Sequence, residues 1–354
     1  MDYLTTDDEK LWVDMYHYLI CRGYQLRPRY HPDWHAPWLN QDISAGKKPL
    51  QPSEYEDSVW ASSNMNDGVR LEDGRKVIFK RVETQWEELT ISTFLSSNEM
   101  RADPRNCSVP ILDVIMIPGD ADHALIVMPL LIGFDNIPFR RLGEFCEAAI
   151  QFLEVSCRGL EFLHEHYIAH RDFCWGNLMM DSSKVIPKGH HFRNWFSHTG
   201  LLGQRFEYNT RWKLRPHRYY IIDYGISTRC TSSDAWILGV CGQDKTVPEM
   251  SETVPYNPFK LDVYQLGNVF KKFTDIYEGT EVFRQLADAM TRKDPNDRPT
   301  ASEAVLLGKE IISQIERSGE MSKRIWPRRT RFTSKLGPLE RLAVVLWGYN
   351  PLHI

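Results

Sequence analysis

An aspartate and an asparagine stand five positions apart in the stretch His170-Arg171-Asp172-Phe173-Cys174-Trp175-Gly176-Asn177. A second aspartate, Asp223, closes the apolar run Tyr219-Tyr220-Ile221-Ile222, and Lys80 closes another, Val77-Ile78-Phe79. These residue types suit phosphoryl transfer, in which a protein mainly positions groups and neutralises charge. Asp172 would orient an acceptor hydroxyl. Asn177 would offer an amide oxygen, and Asp223 a carboxylate, to Mg²⁺. Lys80 would meet the phosphates of a nucleotide, and a glutamate on the following helix would hold the lysine. Glu88 fits that role better than its neighbour Glu87, because Leu89, Ile91 and Leu95 then face inward, although Ser92 falls where an apolar residue is expected.

The elements that must carry these residues follow from hydrophobic pattern. Residues 7 to about 22 read as an amphipathic helix with Leu11, Met15, Tyr18 and Leu19 at helical spacing. Pro28, Pro32 and Pro37 break the next stretch, which reads as an extended strap on a domain surface or as a partner site. Val69 to Val82 reads as a hairpin with Asp73-Gly74 as a two-residue turn. A helix follows, then two strands in Ser108–Ile117 and His123–Leu131 joined by Pro118–Asp122. From about residue 140 the pattern is helical, with Phe145, Ala149, Phe152, Val155, Gly159 and Leu163 on one face; 259–273 and 301–315 are further helices. A β-rich lobe with one helix precedes a larger α-rich lobe.

Composition narrows the class. The chain has 354 residues, 42% of them apolar, enough for two cores at about 150 residues per domain. A net charge of -4 argues against a bulk electrostatic grip on nucleic acid. Seven cysteines with no CxxC pair and no export signal point to a reduced compartment, cytoplasmic or nuclear. The longest apolar runs are too short to span a bilayer, so no transmembrane segment is expected.

At this point the sequence resembles the eukaryotic protein kinase superfamily, in a divergent form similar to the kinase-like proteins of fungi. Residues 170–177 match H-R-D-x-x-x-x-N, Asp223-Tyr224-Gly225 looks like D-F-G, and Val77–Lys80 looks like V-A-I-K. Val247-Pro248-Glu249 is similar to A-P-E, Arg298 to the arginine that pairs with its glutamate, and Asp262 to the residue that braces the catalytic loop. The resemblance implies an α+β, two-lobed protein kinase-like fold, with a small antiparallel N-lobe over 55–131 and a helical C-lobe over 132–318. A strap over 1–54 and a basic tail over 319–354 flank them. ATP and Mg²⁺ are the implied cofactors. Asp172, Lys80, Glu88 and Arg171 are the implied catalytic set, and Asn177 and Asp223 the metal ligands. Met128, Pro129 and Leu131 form the adenine hinge, where Pro129 still offers its carbonyl and Leu131 its N–H. The implied activity is transfer to a protein Ser or Thr, or, as the alternative, a pseudokinase scaffold without turnover. Small-molecule kinases share the catalytic Asp, Asn and metal Asp but lack the features at 247–249 and Arg298.

Three departures stand out. Only Gly68 and Gly74 represent the glycine-rich phosphate loop, and Asn66-Asp67-Gly68 places an acid there. Cys174 and Gly176 occupy the two positions where the family carries a lysine or an arginine. Residues 182–218 form an insert with eight Lys and Arg against one acid, a balance of +7, which reads either as a solvated loop or as a dock for an acidic partner protein. Its histidines, His190, His191, His198 and His217, match no standard zinc spacing. Thr231, Ser232 and Ser233 are candidates for a phosphate held by Arg171, and Leu342, Val345 and Leu346 for packing of the tail on the α-rich lobe.

Overall fold

The computed structural model describes residues 9–39, 51, 55–58, 62–157, 159–201 and 205–328, with backbone alone at 153–157 and 159–161. The chain divides into two units. The first gathers Met1–Ser96, Val109–Leu131 and Ser182–Asn209; the second gathers Ser97–Ser108, Ile132–Asp181 and Thr210–Ile354. This division cuts the chain differently from the boundaries expected from the sequence, because the segment before residue 55 and most of the insert join the first unit. The expected packing of Leu342, Val345 and Leu346 lies outside the described residues.

The first unit is built on an antiparallel sheet of five strands in the order β1-β2-β3-β5-β4. They are β1 (Tyr24–Leu26), β2 (Met65–Arg70), β3 (Lys76–Glu83), β4 (Asp113–Ile117) and β5 (Asp120–Pro129). Two short helices, α1 (Lys10–Asp14) and α2 (Tyr16–Cys21), replace the single helix expected. Strand alternation sends Val77, Phe79, Leu125 and Val127 to one face. There they form one core with Trp12, Met15, Tyr16, Leu19, Tyr24, Leu26 and Tyr30. The inward stripe of the helices therefore centres on Trp12 and Tyr16, and the start of the strap is core. Arg29 is buried with it, paired to Glu9 at 2.7 and 2.8 Å. Helix α3 (Glu87–Leu95) follows β3, with Glu88, Ile91, Ser92 and Leu95 buried.

Two expectations about glycine change here. The β2–β3 turn is longer than two residues: Arg70 N bonds Arg75 O at 2.9 Å, Gly74 N bonds Arg70 O at 2.9 Å, and Gly74 takes φ +71. Gly68 sits in β2 opposite Leu26 and Val77. A Cβ there would meet Gln25 O and the Phe79 ring, each at 2.8 Å. Gly68 thus lets β1 approach β2 closely. The first hairpin is β1–β2, and its connection is residues 27–64, not the stretch around Asn66–Gly68.

The second unit opens with α4 (Asn98–Ala102), β6 (Ile132–Gly133), α5 (Leu142–Cys157) and α6 (Gly159–Glu165). Next come β7 (Ile168–Ala169), β8 (Leu178–Met180), α7 (Arg211–Leu214), β9 (Tyr219–Ile221) and β10 (Thr228–Arg229). The hairpin β11 (Ile237–Gly239) and β12 (Ser251–Tyr256) leads to α8 (Pro258–Ile276), α9 (Arg284–Met290) and α10 (Ala301–Arg317). Helix α8 starts sharply because the Asn257 side chain accepts from Phe259 N and Lys260 N ahead of a proline at the first helical position. Thr300 and Glu303 form a capping box on α10. Phe145, Phe273, Phe139, Phe270 and Phe283 fill the core between these helices, with Phe145 and Phe273 stacked at 3.5 Å.

Candidate active site

In the second unit, β7 delivers the chain into the catalytic-loop stretch, and β8 takes it away. Buried Asp262 on α8 fixes the entry: its carboxylate accepts from His170 N at 2.9 Å, Arg171 N at 2.7 Å and the His164 ring at 3.1 Å. Two charge-assisted backbone bonds hold Arg171 in a left-handed conformation, φ +65, that a non-glycine residue seldom adopts. Gln265, one turn along α8, accepts from Phe173 N at 2.9 Å and donates to Arg171 O at 3.1 Å. The loop is thus pinned to one helix on both sides of Asp172.

The Asp172 carboxylate is 6% exposed. Asn177 Nδ2 donates to its Oδ2 at 3.0 Å and to the Asp172 carbonyl at 2.9 Å. Committing the amide nitrogen in this way leaves the Asn177 oxygen as a ligand atom. The β8–β9 register pairs Leu178 with Ile221, and Ile222 N bonds Asn177 O at 3.1 Å. Asn177 and Asp223 therefore lie side by side, one just before β8 and one just after β9. Asp223 takes φ +67 and accepts from Gly225 N at 3.3 Å. The His170 ring bonds Ile222 O at 3.1 Å, which ties the two strand ends together.

Around this centre, Arg298 holds both oxygens of Glu249, at 2.5 and 2.7 Å. Arg171 already has partners: one guanidinium nitrogen donates to Thr228 Oγ1 and another to Cys241 Sγ, each at 3.0 Å. Cys174 is buried, and burial first, then the nearby Asp172 charge, pushes its thiol up to about 12. It is neutral and supplies no cation. One residue that sequence reasoning missed stands at the centre: Gln243 donates its backbone N–H to Asp172 Oδ1 at 2.7 Å and its amide to Oδ2 at 3.4 Å. No local spacing signals it, since it lies 71 positions from Asp172.

In the first unit, Lys80 on β3 pairs with Glu88 on α3. Glu88 is buried and its rival Glu87 is exposed. Alternation places Lys76, Ile78 and Lys80 on the sheet face opposite the aromatic core, with Asp67 beside Ile78, and with Met128 across from it on β5. The insert covers part of this face. Lys76 Nζ donates to His190 O at 2.9 Å. The His190 ring reaches Ser182 Oγ at 3.3 Å and the backbone of Leu131, the hinge residue. Asp67 is buried and paired with Arg27 at 3.0 Å. His191 shares this polar cluster, its Nε2 3.7 Å from Glu56. Burial first, and then Lys76 for His190 and Arg27 for His191, lower each imidazole to about 4. Accepting bonds from Arg193 N and Asn194 N at His191 Nδ1 fit a neutral ring.

The insert is accordingly not a loop standing free in solvent. His190 and His191 are 2% and 1% exposed. Arg211, expected as part of a basic dock, is 1% exposed in the second unit. It bonds the carbonyls of Phe134 and Ile137 and the Tyr219 hydroxyl, and lies 4.1 Å over the Phe139 ring. Glu207 answers Lys188 at 2.7 Å. Among the described residues no group of three His, Cys, Asp or Glu side chains could hold a metal ion. No helix among them is long and apolar enough to cross a membrane.

No family model matches the chain. Two curated proteins of Trypanosoma brucei brucei align with it. "Putative serine/threonine-protein kinase B" is 25% identical over 218 residues, 56% of this chain and 47% of that protein. "Putative serine/threonine-protein kinase A" is 25% identical over 215 residues, 56% and 46%. The likeness is to protein kinases. The chain spans about half the length of the curated relatives it matches. Its antiparallel sheet unit and its helical unit are compatible with a two-lobed kinase-like fold.

Proposed function

We propose that the chain transfers the γ-phosphoryl group of ATP, with Mg²⁺, to a Ser or Thr hydroxyl of a protein. The observation that supports this best is the β8–β9 register, which sets Asn177 beside Asp223 in the unit that also holds Asp172. An amide oxygen and a carboxylate are hard oxygen donors of the kind Mg²⁺ takes. When bound, Mg²⁺ would neutralise phosphate charge. Asp172 orients the acceptor hydroxyl and draws on its proton, and Lys80, steadied by Glu88, meets the nucleotide phosphates. The choice of Ser/Thr follows the names of the two trypanosomal relatives. Incubation with γ-labelled ATP, Mg²⁺ and a mixed protein acceptor, followed by phosphoamino-acid analysis, tests it. Labelled phosphoserine or phosphothreonine is expected; no labelled protein, the chain itself included, rejects it.

One observation favours a second reading, a pseudokinase that keeps the fold as a binding module. His190 sits against the backbone of the hinge residue Leu131, and Asp67 is spent on Arg27 on the face that Lys80 shares. Calorimetric titration with Mg²⁺-ATP separates the readings. Wild type that binds no nucleotide, while His190→Ala binds it, favours the module; equal binding by both favours the enzyme.

A further inference from the structure

We propose that Gln243 is the positioning residue for the Asp172 carboxylate. The inference rests on the phosphoryl-transfer reading and concerns what holds its central group. A carboxylate that must meet an incoming hydroxyl needs one fixed rotamer and one lone pair left over. The four residues after Asp172 supply little of this. Phe173 is buried, Cys174 is a neutral buried thiol, Trp175 packs on Phe134 at 4.6 Å, and Gly176 has no side chain. From the loop itself only Asn177 donates to the carboxylate.

Gln243 supplies the rest from another segment. Its N–H takes Oδ1 and its amide approaches Oδ2. A carboxylate has about four lone-pair directions. Three are directed at Asn177 and Gln243, and one remains for the acceptor. The neighbours are shaped for this contact. Gly242 takes φ +87, and a Cβ there would come within 2.9 Å of Arg171 O and 3.0 Å of Asp172 Oδ1. A Cβ on Gly176 would lie 3.4 Å from Gln243 Oε1, so the side chain rests against that glycine. Helix α8 fixes both partners at once. Gln265 grips the loop at Arg171 and Phe173, and Asn268, three residues along, donates to Asp244 Oδ2 at 2.7 Å beside Gln243. The relative position of Asp172 and Gln243 is set by one rigid element.

Steady-state kinetics of phosphate transfer by Gln243→Ala, Gln243→Glu and Gln243→Lys test the proposal, with Tm measured for each. Gln243→Ala should lower kcat about tenfold and leave KM for ATP within about twofold, since the lost contact acts on the acceptor carboxylate. Gln243→Glu keeps the size but sets an acceptor against Asp172, and should lower kcat further. Gln243→Lys restores a donor and should return kcat to the wild-type value or above. If Gln243→Ala fails to fold, the Glu and Lys pair carries the comparison. Equal kcat in wild type, Ala and Glu overturns the proposal and leaves the phosphoryl-transfer reading standing. Equal losses in all three variants, following their Tm, assign Gln243 a structural role only and overturn it too. A wild-type chain without turnover rejects the phosphoryl-transfer reading itself, and this proposal with it.

Discussion

Asp223 and Arg211 are both single charged residues on which much depends, and their replacement should fail in different ways. Asp223 stands beside Asn177 through strand register. Asp223→Asn should therefore abolish the Mg²⁺-dependent part of ATP binding, measured by titration with and without the metal, while Tm stays near wild type. Arg211 is bonded to two carbonyls and a hydroxyl in the core. Arg211→Met should cost about 3 kcal/mol in urea unfolding, because buried carbonyls lose their donor. A binding defect without that loss of stability would contradict its assignment to the core. Residues of this kind differ in how legible they are. Asp172 and Asn177 are held by spacing within one short loop, and Asp262 and Arg298 follow in order, so pattern finds them. Gln243 and Arg211 act through contacts with distant backbone, which leaves no local trace.

At the scale of elements, the strands and helices with long apolar periodicity were legible: β3, β5, α5, α8 and α10 all fall within the runs read from the sequence. The strand β1 was not, because Tyr24-Gln25-Leu26 is too short to establish alternation. Missing it displaced the first hairpin and turned Gly68 into a false candidate for phosphate contact. The insert was misread for a related reason: its charge balance is a count, and a count does not say which side chains are buried. Its packing makes a pH prediction. His190 and His191 titrate at about 4 in the fold, below the ordinary value near 6.5. Between those values the unfolded chain binds more protons, so stability is full above about pH 6.5 and falls as pH drops towards 4. Tm should decline between pH 7 and pH 5, and His190→Ala should flatten that decline. An unchanged slope in the variant would mean that other groups dominate. The buried Arg29–Glu9 pair makes a second one: Glu9→Ala leaves the guanidinium uncompensated and should cost about 3 kcal/mol in denaturant unfolding.

For the whole molecule, the account joins two units, each carrying half of one chemistry. The sheet unit holds Lys80 with Glu88, and the helical unit holds Asp172, Asn177 and Asp223. The central claim is that Asp172 drives transfer and does not merely maintain the fold. The most direct measurement is a single-turnover assay of γ-phosphoryl transfer with saturating Mg²⁺-ATP, comparing wild type with Asp172→Asn in samples whose ATP binding is measured beforehand. The account predicts that the variant binds Mg²⁺-ATP within about threefold of wild type and transfers phosphate at least about a hundredfold more slowly. Equal transfer rates for the two proteins, or wild type that binds Mg²⁺-ATP and transfers nothing, would contradict it.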